Sequence, residues 1–136
     1  MLSTKLGFSL MELLIVLAII GILAGLAYPR YNQHLTTTHR SYAKVALNDL
    51  AARLEQYYTQ NNSYAGATLS GLGVSDVNYK FYYQLKIDQA LDDKYVISAL
   101  PQGKQAQEDA DCGSLILDQT GNRSVTGSAK AEECWN

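Results

Sequence analysis

The chain opens on an unbroken apolar run. From Phe8 to Tyr28 it reads FSLMELLIVLAIIGILAGLAY, with Ser9 and Glu12 its clearly polar members. At ~1.5 Å per residue the run makes roughly 31 Å of helix, the depth of one bilayer core. Pro29 follows, and a proline inside a helix removes a hydrogen bond and kinks the chain. Beyond Pro29 the period changes. Tyr31, Leu35, Tyr42, Ala46, Leu50, Leu54 and Tyr57 recur at steps of three, four or seven, which predicts an amphipathic continuation of the helix. Asp49 and Arg53 add an i,i+4 pair of opposite charge. Asn61, Asn62 and Ser63 supply its stop.

Downstream the period shortens to that of strands. YKFYYQLKI from Tyr79 to Ile87 is aromatic-rich with partial alternation, and KYVISAL from Lys94 to Leu100 is stopped by Pro101. GSLILD from Gly113 to Asp118 runs into the turn QTGN, and a last short strand is expected near Ser124 and Val125. The helix needs a cover for its apolar stripe. The expected architecture is therefore α+β, with an antiparallel sheet of three or four strands laid against the half of the helix beyond Pro29. The ten tyrosines are better used in half-buried packing than as a stacking platform for bases.

Charge refines this picture. The 136 residues carry a net charge of -2, unevenly spread. Residues 29–60 hold Arg30, Arg40, Lys44 and Arg53 against Asp49 and Glu55, whereas the rest of the chain to Asn136 is acidic. An acidic head argues against a broad nucleic-acid surface, which needs Lys and Arg to displace counterions, but leaves room for a small basic patch. Cys112 and Cys134 are the two cysteines. Behind a membrane-entering segment an even count reads as one disulfide in an oxidising compartment; two buried free thiols are the alternative. The loop so closed is worth about 3 to 3.5 kcal/mol in chain entropy.

The apolar run is too long for the core of an ordinary secretory signal, and GLAYPRY is a poor small-x-small cleavage site. A signal anchor would leave Lys5 on a short cytoplasmic tail and the head outside. It would not explain Glu12, because a carboxylate within a membrane helix costs roughly 2.5 to 3.5 kcal/mol at the centre and less near an end.

KLGFSLMELLIVLAIIGILAGLAYPRY resembles the N-terminus of type IV prepilins. LEQYYTQNNSYAG and the ending DCGSLILDQTGNRSVTGSAKAEECWN are similar to small type IVa pilins of the PilE type. The resemblance covers the leader, the long helix and the last third of the chain. It implies a pilin fold with residues 1–7 as leader, 8–28 as transmembrane and assembly helix, and 29–136 as periplasmic head. It implies cleavage by a prepilin peptidase between Gly7 and Phe8, and N-methylation of Phe8. Glu12 then lies one helical turn from a new ammonium, where the macrodipole also favours an acid. In the family picture it meets the Phe8 amine of a neighbouring subunit in the filament. Gly21 and Gly25 match the small-xxx-small pattern of closely packed membrane helices, or mark, with Pro29, a stretch that loses helix on assembly.

No catalytic constellation stands out, and no cofactor is expected. His34 and His39 are five apart, not the i,i+4 of helical zinc sites, and read as solvated. Glu108, Asp109 and Asp111 lack the pattern of a calcium loop and read as a solvated acidic turn. NNS and NRS match the N-glycosylation pattern, but the leader looks bacterial. The polar, turn-rich segment between the cysteines resembles the disulfide-bounded loop that pilins expose. The leading expectation is a non-enzymatic structural subunit of a type IVa pilus, with its short head favouring a minor one. It serves adhesion, twitching motility or DNA uptake. Its expected partners are other pilin subunits, the peptidase and N-methylase, and inner-membrane assembly machinery. The alternatives are a pilin specialised as a DNA receptor for transformation and a type II secretion pseudopilin.

Overall fold

The computed structural model describes residues 7–75 and 82–136. These fall into two compact units, one up to Leu35 and one from Thr36 to Asn136. Helix α1 runs Leu10–Asn61, with Pro29 inside it. Because proline has no N–H, the carbonyl of Gly25 loses its usual donor there. In the first unit the apolar side chains from Leu10 to Leu26 are exposed, as suits a segment whose solvent is lipid or another helix. This stretch is long and apolar enough to cross a membrane, by length and composition.

In the second unit α1 buries Thr36, Ala43, Ala46, Leu47, Leu50 and Leu54. This corrects the expected stripe. Leu47 and Ala43 belong to it, whereas Tyr42 is 56% exposed. Small Ala43 and Ala46 let the helix approach the sheet, and the bulky ring next to them turns outward. The helix stops at Asn62, which takes the left-handed conformation (φ 54°) that asparagine tolerates.

The sheet is fully antiparallel, in the order β1 (Tyr83–Ala90), β2 (Tyr95–Pro101), β3 (Leu115–Asp118), β4 (Arg123–Val125). Of the first expected strand, Tyr79, Lys80 and Phe81 lie outside the described residues, and at its other end β1 runs past Ile87 to Ala90. Register aligns Leu85, Ala99, Leu115 and Val125 in one row, and Ile87, Ile97 and Leu117 in the next. Their period-two alternation faces these rows to α1 and completes one core with Leu47, Leu50 and Leu54. As an edge strand β1 is irregular in its pairing with β2. Its register shifts between Ile87 and Gln89, and Lys86 pairs with Asp88 at 3.0 Å.

Two short helices were not legible in the sequence: α2 (Gly103–Glu108) between β2 and β3, and α3 (Ala131–Trp135) after β4. Between the cysteines, β3 and β4 stand where the sequence pattern puts strands, and part of α3 is added to them. Cys112 and Cys134 form a disulfide with Cα atoms 5.8 Å apart. Beside it, Gly127 lies so close to the Asp111 carbonyl that a Cβ would stand 2.1 Å from its oxygen; any side chain here collides with backbone.

Candidate functional site

At the N-terminal end, Gly7 and Phe8 precede the helix, and the Phe8 ring is 84% exposed. Ser9 and Glu12 cap the helix reciprocally. The Ser9 amide donates to Glu12 Oε2 at 3.1 Å, and the Met11 amide donates to Ser9 Oγ at 3.3 Å. Two orphan donors of the first turn are thereby satisfied. The S-x-x-E spacing carries this signal, and the cap adds a local role to the ion pair and the macrodipole expected of Glu12. Farther along α1, a Cβ built on Gly21 or Gly25 meets nothing within 4 Å, so both positions offer a smooth surface for another helix.

In the head, two cations gather around Trp135 and Asn136. Lys44 Nζ donates to the backbone oxygen of Asn136 at 2.8 Å and to that of Trp135 at 3.4 Å. The Arg123 guanidinium sits 5.2 Å from the centroid of the Trp135 ring, in reach of its π face. Trp135 Nε1 donates to the Ser124 carbonyl at 3.1 Å, which fixes the indole against β4. Burial, and then the charges of Arg40 and Arg123, hold the Lys44 ammonium below its ordinary range. The disulfide fastens α3, and with it Trp135, beside Cys112. So α1 and β4 bring together Lys44 and Arg123, two cations 79 positions apart in sequence, on either side of Trp135.

A second polar cluster is structural. Asp109 is 4% exposed, and its carboxylate accepts from Arg40 Nε at 2.9 Å, Tyr83 Oη at 3.1 Å and Gln105 Nε2 at 3.3 Å. It is not part of a solvated acidic turn: these donors replace the water it gives up. Glu108 and Asp111 do remain exposed. The hydrogen bonds to Asp109 chiefly raise Arg40 above its ordinary value, against the cost of its burial. Burial chiefly pushes the Tyr83 hydroxyl up. His39 departs from the solvated reading as well: its ring stacks on Tyr82 at 3.6 Å, and Nδ1 lies 3.2 Å from Gln105 Oε1. His34 is exposed.

Comparison with known proteins bears on both ends. Residues 2–28 match the model of the prokaryotic N-terminal methylation motif, and residues 29–116 match the model described as type IV minor pilin ComP, DNA uptake sequence receptor. Among curated relatives, the type IV major pilin protein PilE1 of Neisseria gonorrhoeae is 31% identical over 62% of this chain and 49% of its own length. The fimbrial protein EcpC of Eikenella corrodens is 37% identical over 52% of each. The chain thus spans about half the length of the curated relatives it matches. The crystal structure of the non-core minor pilin PilV of Neisseria meningitidis has the same fold. It superposes with a TM-score of 0.55 at 18% identity, covering 69% of this chain and 89% of that one. With its methylation motif, its long helix laid on a four-stranded antiparallel sheet and its matched head, the chain is a type IV pilin, a member of the family described as type IV minor pilin ComP, DNA uptake sequence receptor.

Proposed function

We propose that this chain is a minor subunit of a type IVa pilus whose head binds DNA. The match over residues 29–116 carries this reading, and the cations around Trp135 supply a physical basis for it. The net charge of the head opposes DNA, but phosphates are met locally, and Arg123 is exposed while Lys44 is partly so. The acidic side chains Glu132 and Glu133 on α3 limit the patch to a few phosphates.

The N-terminal unit serves anchoring and assembly. In this reading a prepilin peptidase cuts between Gly7 and Phe8, and the new Phe8 amine is methylated. Residues 8–28 hold the precursor in the inner membrane with residues 29–136 in the periplasm. Assembly machinery then moves it into the filament with other pilins. There Glu12 exchanges its bond to the Ser9 amide for the Phe8 ammonium of a neighbour, and Gly21 and Pro29 let the helices pack.

The test is binding of the full chain, in a zwitterionic detergent, to a short DNA duplex over a salt series. Affinity should fall with salt, and Arg123→Ala should reduce the slope of log K against log salt by about 1. No affinity at low salt removes the DNA role and leaves the filament role standing.

A further inference from the structure

A polar cleft of about 190 Å³ lies where the last turns of α1 meet the turn at Gly71 and Leu72. It is remote in sequence from the basic patch and belongs to none of the roles above. Arg53, Gln56, Tyr57 and Gln60 line it from the helix, at the i, i+3, i+4, i+7 spacing of one helix face. Two of them are held in place. Arg53 Nε donates to Asp49 Oδ2 and Nη1 to the Leu72 carbonyl, both at 2.9 Å. Tyr57 Oη donates to the Ala65 carbonyl at 3.1 Å, which fixes its ring. Gln56 and Gln60 have no hydrogen-bond partner among the described residues.

These groups differ in kind from an anion site. Asp49 neutralises Arg53. The glutamine amides offer acceptors as well as donors, and an anion uses only donors. A ring of hydroxyls, each both donor and acceptor, uses all of them, while a phenol ring and Leu72 suit the C–H face of such a ring. Fixed aromatic and guanidinium groups beside adaptable amides also keep the ordering cost low. We infer that this cleft binds a single pyranose ring of a neutral sugar.

The experiment is saturation-transfer NMR on the full chain in a detergent without a sugar headgroup. The probes are methyl α-glucopyranoside, methyl β-galactopyranoside and N-acetylglucosamine, with inorganic phosphate as the anionic rival. At least one sugar should show saturable transfer at millimolar concentration. Gln56→Ala/Gln60→Ala, two exposed positions whose loss leaves the helix content unchanged, should weaken it about tenfold or more. Arg53→Lys, which keeps the charge but loses the fork, should weaken it too. No saturable transfer from any sugar up to about 50 mM would overturn the inference. So would equal binding by the double variant, or displacement of the sugar by phosphate.

Discussion

Arg40 on α1 and Asp109 just past α2 form an ion pair with side chains 15% and 4% exposed, and it ties the β2–β3 connection to the helix. Gln105 reinforces the tie by donating from Nε2 to the Thr36 carbonyl at 3.0 Å, and Thr36 Oγ1 donates to Glu108 at 3.2 Å. The contact is polar from end to end. Its strength therefore lies in every partner being present, since a lone buried carboxylate is expensive.

Arg40→Ala should accordingly destabilise the protein by about 3 kcal/mol, because it strands Asp109. Arg40→Met with Asp109→Leu should recover much of that loss, since no charge is then left buried. Urea unfolding of both variants measures the difference. Equal destabilisation by the single and the double variant would count against the pair as the source.

Alkaline stability should depend on a tyrosine cluster. Tyr64 lies against Tyr58, with ring centroids 4.6 Å apart, and meets Tyr95 edge-on at 5.0 Å. Burial, and then its hydrogen bond to Glu55, pushes Tyr64 up to about 12; burial and nearby carboxylates do the same for Tyr95. A tyrosine raised in the fold contributes stability that is fully present below its ordinary value near 10 and is lost as the pH rises through its folded value. The head should lose stability between those limits, and Tyr64→Phe should flatten the decline. Thermal unfolding at stepped pH, beside an ultraviolet phenolate titration, reads both.

The disulfide closes a loop of 22 positions. Replacing both cysteines by alanine should cost about 3 kcal/mol. The change should also loosen α3, so that Trp135 fluorescence shifts to longer wavelength before the core unfolds. A fluorescence transition coincident with the circular-dichroism transition would show that α3 is held by its packing alone.

Glu12→Ala should be processed at Gly7 yet enter filaments poorly, because the neighbour's amine loses its partner. The ratio of variant to other pilins in sheared filaments is the measurement. Normal incorporation would remove Glu12 from assembly. Glu12→Gln separates capping from charge, since an amide oxygen still accepts from Ser9.

Much of this was legible because it repeats. The apolar run to Tyr28, the end of α1 at Asn61 and the places of β2, β3 and β4 follow from period and turn chemistry, each signal spread over many residues. The misses are singular events. α2 has six residues and no side-chain cap, so no periodicity announces it. Asp109 looks like its neighbours Glu108 and Asp111 until α1 supplies Arg40 from 69 positions away. Tyr42 carries the right spacing for the stripe, but Leu47 fills the space facing the sheet. Lys44, Arg123 and Trp135 converge only through tertiary contacts, which no local pattern encodes.

The irregular β1 edge has a consequence for a protein proposed to sit among many packed pilin subunits. Crowded sheets with open borders tend to fuse by borrowing each other's backbone hydrogen bonds. Here that border is bent between Ile87 and Gln89 and carries the Lys86–Asp88 charges, while the opposite border, β4, is a three-residue strand backed by α3. Neighbouring heads can thus be held at high density without merging into a continuous ribbon. Polymer growth is left to the apolar helix, and subunits keep their individual folds when the fibre comes apart.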